Sequence, residues 1–390
     1  MESIGQDGSI SLARTRPVSE VRNGYTYFED GDVAFAKVTP CFENGKGALM
    51  RNLVGGAGFG TSELTVLRPK PGVNARFLNY IVQSEPFRRL GVGAMSGAGG
   101  LKRVPDEFTR DFVVAWPEAT VQANVAAFLD GQTARIDALI AEKVRLSRSL
   151  EEFRLSAIHE ALCVGLDREA PTVDTGDEWF AKVPAHWAFC PLNYRYEVQL
   201  GKMLDEKRIT GAHLLPYLRN TDVQWDHINA DSLPQMDIAP TEMSRYSVRA
   251  GDLLVCEGGE VGRAAIWEGP ENAIGYQKAL HRVRPRDASD VPRFLFYALF
   301  DSAKRGRFES RDKATIAHLT AEAFRRYRFT FPPYAEQTAI VQHLDSLTSK
   351  IDGLQSHCTE HINRLREYRS SLISAAVTGQ LDINAYKEAA

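Results

Sequence analysis

The chain has 390 residues, 44% of them hydrophobic and 25% charged, enough to bury ordinary cores in two or more domains. A net charge of -3 excludes a chain-wide basic field, so any hold on nucleic acid has to come from local patches. The five cysteines (Cys41, Cys163, Cys190, Cys256 and Cys358) include no Cys-x-x-Cys pair, which argues against a disulfide framework or a zinc ribbon. The opening MESIGQDGSISLARTRP carries an acid and no apolar signal core, and no uncharged apolar run is long enough to span a bilayer. The expected compartment is the cytoplasm, with no membrane partner.

In chain order, GDVAFAKV (31–38) and ELTVLRP (63–69) read as short strands, and RFLNYIVQSE (76–85) as a short helix. A long helical pattern follows from Val121. Further on, DLLVCEG (252–258), AAIWEG (264–269) and RYRFTFP (326–332) are strand-like, PRFLFYALFDSAKRG (292–306) is helical, and a second long pattern runs from Glu336. Each variable block is therefore expected to be an α+β globule.

The two long patterns are copies of each other. VQANVAAFLDGQTARIDALIAEKVRLSRSLEEFRLSAIHEALCVGLD (121–167) aligns without a gap on EQTAIVQHLDSLTSKIDGLQSHCTEHINRLREYRSSLISAAVTGQLD (336–382). Gln122 matches Gln337, Leu129-Asp130 matches Leu344-Asp345, Ile136-Asp137 matches Ile351-Asp352, and Glu152 and Arg154 match Glu367 and Arg369. More loosely, the sequence around Gly31-Asp32 matches that around Gly251-Asp252, and FLNYIVQSEPF (77–87) matches FLFYALFDSAK (294–304).

The copies carry a heptad rhythm. Leu129, Ile136, Lys143, Leu150 and Ala157 alternate with Leu139, Leu146 and Phe153; Leu344, Ile351, Cys358, Leu365 and Leu372 alternate with Leu347, Leu354, His361 and Tyr368. About 45 helical residues at 1.5 Å each make rods of roughly 65 Å, which bury their seams most economically against each other. The alternative is that each packs on its own block as an ordinary amphipathic helix. Lys143 on the seam sets register or faces a partner. His357, Cys358 and His361 resemble a ligand set, but no further pair accompanies them and the seam reading is preferred over a metal site.

Phe331-Pro332-Pro333-Tyr334 resembles the Asn/Asp-Pro-Pro-Tyr signature of adenine methyltransferases. Phe331, however, offers no carbonyl to accept a hydrogen bond from an amino group. GGAGFG (55–60) and GVGAMSG (91–97) have the wrong spacing for a dinucleotide loop, and Gly45-Lys46 is followed by Gly47 rather than Ser or Thr. Pro332-Pro333 is expected to end a strand and open a helix, as Pro117 does in the first copy. No catalytic residue is assigned.

A long helix that opens near Gln122 or Gln337, runs through Leu-Asp, Ile-Asp and Leu-x-Glu-[Tyr/Phe]-Arg, and closes near Leu-Asp is similar to the spacer of type I restriction-modification specificity subunits. GDVAFAKVTPCFENGKGAL (31–49) and GDLLVCEGGEVGRAAI (251–266) resemble that family's target-recognition domains. The resemblance covers nearly the whole chain. It implies an α+β fold in which two recognition domains are separated by an antiparallel coiled coil with pseudo-twofold symmetry. It places recognition domain 1 at 1–117, spacer helix 1 at 118–170, recognition domain 2 at 171–332, and spacer helix 2 with its tail at 333–390. It also implies a non-catalytic subunit that binds double-stranded DNA at a gapped two-part target and directs adenine methylation. The implied partners are two methyltransferase subunits and restriction motor-nuclease subunits, which would carry S-adenosylmethionine, ATP and Mg; this chain would bind no cofactor. The stretch before Asp32 is much shorter than that from Trp187 to Asp252, so one or two entrance strands are expected to be missing from domain 1. The alternative function is a truncated scaffold or regulator that reads one half-site or none.

DNA binding calls for basic patches. Lys278 to Arg328 is strongly basic while Asp222 to Glu271 is strongly acidic. Lys304, Arg305, Arg307, Arg311 and Lys313 are candidates for holding phosphates, a solvated helix end being the alternative. Arg263 suits guanine, Gln277 and Asn272 suit adenine, and Lys278 adjoins them. In the first block Lys37, Thr39, Asn44 and Lys46 occupy the matching loop, and Lys102-Arg103 corresponds to the second block's basic run.

Overall fold

The computed structural model describes residues 2–12, 14–204, 210–309 and 318–389. The chain divides into unit 1, Met1–Leu146 with Ser356–Ala390, and unit 2, Ser147–Gln355. No helix among the described residues is long and apolar enough to cross a membrane. All five cysteines are free thiols.

Unit 1 contains β1 (Thr26–Glu29), β2 (Val33–Ala36), β3 (Gly47–Leu49), β4 (Ala57–Gly60), β5 (Leu64–Leu67), α1 (Ala75–Gln83) and α2 (Glu85–Ala94). It also holds the first part of the long helix α3 (Ala119–Cys163). Its main sheet is three-stranded in the order β3-β2-β5, all antiparallel, and β1 pairs separately with β4. Runs of small, β-branched and aromatic residues suit this pleated surface: all four residues of β2 are buried.

Unit 2 holds the rest of α3. Its main elements are β6 (Ala188–Pro191), β7 (Tyr196–Leu200), β8 (Leu253–Cys256), β9 (Ala264–Ile266), β10 (Gly275–Tyr276), β11 (Leu280–Pro285), α4 (Pro292–Lys304) and β12 (Arg328–Phe331). The second long helix, α5 (Tyr334–Val377), begins here and ends in unit 1. The main sheet is four-stranded, β9-β8-β11-β7, again antiparallel, and β6 pairs with β12.

The two sheets share one register. Val33 faces Leu49 and Leu67 in unit 1; Leu253 faces Ile266 and Val283 in unit 2. Each is introduced by a Gly-Asp turn in which the glycine takes a positive φ, +95° at Gly31 and +88° at Gly251, a conformation costly for a residue with a Cβ. The aspartate that follows is buried. Asp32 accepts from Glu29 N at 2.8 Å and from Arg68 Nε and Nη2 at 2.9 and 2.8 Å; Asp252 accepts from Arg249 N at 2.8 Å and from Arg284 Nε and Nη2, both at 2.6 Å. A buried carboxylate with a two-pronged arginine partner and a backbone donor is satisfied, whereas truncating either partner would strand a charge. The Arg68 guanidinium holds Asp32 below the usual carboxylate range despite burial.

Each unit fastens its short helix to a long helix with the same side chains. In unit 1, Gln122 Oε1 accepts from Asn74 N at 2.9 Å while its Nε2 donates to Pro117 O at 2.8 Å. In unit 2, Gln337 Oε1 accepts from Val291 N at 2.8 Å while Nε2 donates to Pro332 O at 2.9 Å. Pro332 and Pro333 thus sit where β12 gives way to α5, and Phe331 is buried. About two turns further along each long helix, Asp130 accepts from Tyr80 OH at 2.8 Å and Arg76 Nη1 at 2.6 Å; Asp345 accepts from Tyr297 OH at 2.6 Å and Arg293 Nε at 2.9 Å.

The helices pair within each unit. In unit 1, Leu129, Ile136 and Ile140 of α3 share an apolar cluster with Leu365, Leu372, Ile373 and Ala376 of α5, and Arg369 Nε lies 3.0 Å from Asp137 Oδ1. In unit 2, Ile158 and Leu162 pack with Ile340, Val341 and Leu344, and Arg154 pairs with Asp352 and donates to Gln355 Oε1 at 3.0 Å. Asp137-Arg369 and Asp352-Arg154 are the same motif pair, with the roles of the two helices exchanged.

One half of the expected seam differs. Leu129, Ile136, Leu344, Ile351, Cys358 and Leu372 are buried, and Leu150 and Leu365 are half-buried. Leu139, Leu146, Phe153, Leu354 and Tyr368 are 44–55% exposed. The second inward stripe is shifted by one residue: Thr133 is buried, Ile140, Ser147 and Arg154 are half-buried, as are Thr348, Gln355, Ile362 and Arg369. Steps of four then three place these beside the first stripe, and because most are polar an apolar-only pattern misses them. Cys358 is buried while its neighbours His357 and His361 are exposed, so the three do not share a face.

Candidate nucleic-acid interface

Lys37, Thr39, Lys46 and Lys102 of unit 1, and Gln277 and Lys278 of unit 2, lie at the same end of their main sheets. In unit 1 this rim is built from the end of β2, the start of β3, the start of β5 and the strand-like segment at Lys102–Val104. Lys37 N donates to Glu63 O at 2.9 Å, Ala36 N to Lys46 O at 2.9 Å, Val104 N to Lys37 O at 2.8 Å and Thr39 N to Lys102 O at 3.0 Å. Lys37, Thr39, Lys46 and Lys102 are thereby drawn onto one rim. Asn44 is exposed at the tip of the adjoining turn, and Lys102 is exposed. Arg103 is engaged: its Nε and Nη2 reach Glu63 at 2.8 and 2.7 Å, and this hydrogen bonding holds the Glu63 carboxyl below its ordinary range.

The rim of unit 2 is built the same way. Glu257 N donates to Ala279 O at 3.0 Å, Cys256 N to Arg263 O at 2.7 Å, Leu319 N to Glu257 O at 2.8 Å and Lys278 N to Lys202 O at 2.9 Å. Gln277 is half-buried and its N donates to Leu218 O at 3.0 Å, while Lys278 is exposed. Asn272 stands apart, in a left-handed turn with φ +56°, its Oδ1 accepting from Ser247 Oγ at 2.6 Å.

Of the basic candidates of unit 2, Arg263 and Arg307 turn inward, while Lys304 and Arg305 are exposed but paired with carboxylates. Arg263 donates from Nη2 to Asn220 O at 2.9 Å and its side chain is 14% exposed, so it ties the glycine turn to the Asn220 segment. Lys304 Nζ donates to Glu260 Oε1 at 2.7 Å and lies over the rings of Trp225 and Phe300. Burial works against Glu260's charge, but Lys304 and the Trp225 indole still hold its carboxyl below the usual range. Arg305 binds Asp301 Oδ1 at 2.7 Å. Arg307 is 9% exposed, packed 5.0–5.4 Å from the ring centres of Phe180, Tyr327 and Phe329, and burial lowers its pKa. Within this run, aromatic faces and carboxylates hold the Arg307 guanidinium inside the fold and pair the exposed Lys304 and Arg305. Arg311 and Lys313 lie outside the described residues.

Several rim residues escaped sequence reasoning. Asn220 Nδ2 donates to Gly258 O at 3.0 Å, exposed His318 lies beside Gly258, and Lys202 pairs with Glu242. In unit 1, half-buried Arg88 sits under the Gly45 turn and donates to Ser370 Oγ at 3.1 Å. Only strand register, which no local motif encodes, brings them to the rim.

A duplicated α+β scaffold with a polar, basic-tipped rim at the same sheet end of each copy, each copy clamped to paired helices, defines a class of two-headed proteins. Residues 197–364 match the family model described as the type I restriction modification DNA specificity domain. It is 42% identical over 107 residues to the type I restriction enzyme EcoEI specificity subunit of Escherichia coli, a match covering 27% of this chain and 18% of that protein. The chain thus spans less than a fifth of that relative's length in the matching region. The fold is similar to a solved structure titled for complex assembly and conformational transition of the type I R-M system: TM-score 0.75, 18% identity, 97% of this chain and 90% of the other. It is also similar to the crystal structure of the HsdS subunit from Thermoanaerobacter tengcongensis, with TM-score 0.57, 19% identity and coverage of 97% and 89%.

Proposed function

We propose that this chain is the sequence-reading subunit of a type I restriction-modification complex. It binds double-stranded DNA at a gapped two-part target and directs adenine methylation by partner subunits. The observation that carries the reading is the pair of sheet rims: one strand register and one set of clamps, tipped with unlike side chains, suits two readers of two unlike half-sites. The chemistry of methyl transfer, S-adenosylmethionine binding, ATP hydrolysis and Mg belongs to the partners, and this chain is non-catalytic. Residues 1–117 and 171–332 act as recognition domains, and 118–170 and 333–390 as the spacer.

On the rims, Lys37, Lys46, Lys102 and Lys278 supply phosphate contacts, while Thr39, Asn44 and Gln277 address base edges. The exposed apolar residues Leu139 and Leu146 of unit 1, and Phe153 and Leu354 of unit 2, are the surfaces we assign to two methyltransferase subunits. Motor-nuclease subunits join for cleavage, and the assembly works in the cytoplasm.

A second reading has its own support. Among the described residues, the strands Tyr196–Leu200, Leu214–Leu218 and Gln235–Asp237 of unit 2 have no counterpart in the smaller sheet of unit 1. That favours a chain that reads one half-site and serves otherwise as a scaffold.

The test is a genome-wide map of N6-methyladenine with and without this gene, expressed beside its methyltransferase gene. Loss of one gapped two-part motif is the expected result. Loss of a single half-site motif supports the second reading, and an unchanged map removes both.

A further inference from the structure

We propose that the outer edge of β5 is a docking site for one extended strand of a partner polypeptide, aromatic or β-branched at alternate positions with an acid between them. The inference rests on reading the two units as copies of one recognition domain.

The register identifies the edge. Leu64-Thr65-Val66-Leu67-Arg68-Pro69 occupies in unit 1 the place of Leu280-His281-Arg282-Val283-Arg284-Pro285 in unit 2, because Leu67 and Val283 face the matching residues Val33 and Leu253. In unit 2 the far side of this strand is covered by β7, with Val198 opposite Val283 and Glu197 opposite Arg284. In unit 1 no strand pairs with the far side of β5 among the described residues.

Hydrogen-bond alternation fixes which groups look outward. Lys37 N bonds Glu63 O, so Thr65 and Leu67 point their backbone groups at β2, and Val66 and Arg68 point theirs at the open edge. Gly201 N bonds Leu280 O, which by the same alternation turns Arg282 and Arg284 toward β7. Position for position, the groups that β7 satisfies in unit 2 are unpaired by any strand among the described residues of unit 1.

Burial follows the same contrast. Arg282 and Val283 are 2% and 0% exposed, whereas Val66 and Leu67 are only half-buried. The Arg284 side chain is 17% exposed and that of Arg68 is 55%, although Arg68 keeps Asp32 and, at 3.6 Å, Glu29. An open strand edge beside an apolar cluster is a template for strand addition. Here the cluster on the Leu67 face comprises Val33, Phe35, Phe42, Val82, Phe87 and Val104.

The covering strand of unit 2 describes the occupant. Tyr196 and Val198 are 0% and 3% exposed, and Glu197 between them lies 3.7 Å from the Arg282 guanidinium. A strand with the same alternation would put apolar side chains opposite Pro69 and Leu67, and its acid opposite half-exposed Arg68. Main-chain bonds supply affinity, and the acid and alternating apolar residues supply selection.

The probe is a fluorescent synthetic peptide of the sequence RYEVQLG, residues 195–201, titrated into the full chain and followed by anisotropy. Saturable micromolar binding is expected, weakened at least about tenfold when the peptide carries proline in place of its glutamine, whose counterpart Gln199 stands opposite Arg282 in a hydrogen-bonded position, or is N-methylated there. Val66→Pro removes an outward donor and no bond to β2, so it should weaken binding as much while leaving the melting temperature unchanged. No binding at millimolar peptide, or equal binding by the N-methylated peptide, overturns the proposal. Concentration-dependent dimerisation that Val66→Pro abolishes overturns it in favour of a second copy at this edge. Absent peptide binding with an intact two-part methylation motif removes only this inference. Peptide binding without a half-site from unit 1 removes the reading of unit 1 as a DNA reader and leaves the edge.

Discussion

His281 makes the stability of unit 2 depend on pH. It is fully buried on β11, with Nε2 2.7 Å from Leu319 O; a carbonyl only accepts, so Nε2 carries the proton. Nδ1 is buried without a hydrogen-bond partner, and the ring lies against Phe324. Burial above all, with the nearby Arg325 charge, pulls the imidazole down to about 4 from 6.5, although the bond to Leu319 O works the other way. A depressed base is neutral in the fold and takes up a proton first in the unfolded chain. Its contribution is therefore fully present above pH 6.5 and is lost as the pH falls toward 4. At 1.36 kcal/mol per pKa unit the loss reaches about 2 kcal/mol by pH 5 and about 3 kcal/mol near pH 4. Four of the five tryptophans (Trp179, Trp187, Trp225 and Trp267, but not Trp116) lie in unit 2, so intrinsic fluorescence during urea unfolding reports mainly that unit. His281→Gln retains a donor for Leu319 O but does not titrate. The wild type should lose about 2 kcal/mol more than this variant between pH 7 and pH 5. Equal losses would refute the reasoning. Because Leu319 also holds Glu257 at the rim, the same acid shift should weaken DNA binding through unit 2.

Other substitutions separate rim from scaffold. Lys278→Ala should lower the slope of log affinity against log salt by about 0.9 with stability unchanged, whereas Arg307→Ala should destabilise unit 2 by about 1–3 kcal/mol and leave the salt slope of the folded protein alone. Fluorescence-detected DNA titrations at several salt concentrations, beside melting curves, check both. Asp130→Asn and Asp345→Asn each weaken the grip of a Tyr and an Arg on a half-exposed carboxylate, so each should cost its own unit about 1–2 kcal/mol, read by unit-resolved hydrogen exchange. Leu146→Glu and Phe153→Glu change exposed positions, so stability should move by less than about 0.5 kcal/mol while co-purification of the methyltransferase subunit falls.

The elements that were legible in the sequence are those whose residues recur. Gln122/Gln337, Asp130/Asp345 and the Asp137-Arg369 and Asp352-Arg154 pairs each do one job twice, so self-alignment exposes them. The repeat does not say what each residue touches. Arg154 and Asp137 lie on one helix yet bond different turns of the other, which follows only from antiparallel pairing. The second seam stripe was hidden because Thr133, Ser147, Gln355 and Arg369 are polar, while exposed Leu139, Leu146 and Leu354 imitate a seam. The surroundings of Lys304, Arg305 and Arg307 were illegible for a related reason. A basic run announces charge, but whether that charge meets solvent depends on Trp225, Glu260, Asp301 and Phe329, distant in sequence and adjacent in the fold.

The division between recurring and non-recurring residues carries a mechanism for changing specificity. Inward groups such as Asp32 and Asp252 are held by geometry and recur. The loops between β2 and β3, Lys37–Lys46, and between β8 and β9, Glu257–Arg263, differ in length and chemistry but leave strands of identical register. Loop tips tolerate insertion far better than the strands that carry them, because closure entropy rises slowly with length. Exchanging these two loops should therefore leave both sheets folded and move base preference with the loop. Methylome sequencing of the swapped chain reads the outcome: each half-site of the gapped motif should change toward the sequence formerly read by the other unit. If the half-sites stay in place with both loops exchanged, recognition lies elsewhere on the units and the rim assignment fails.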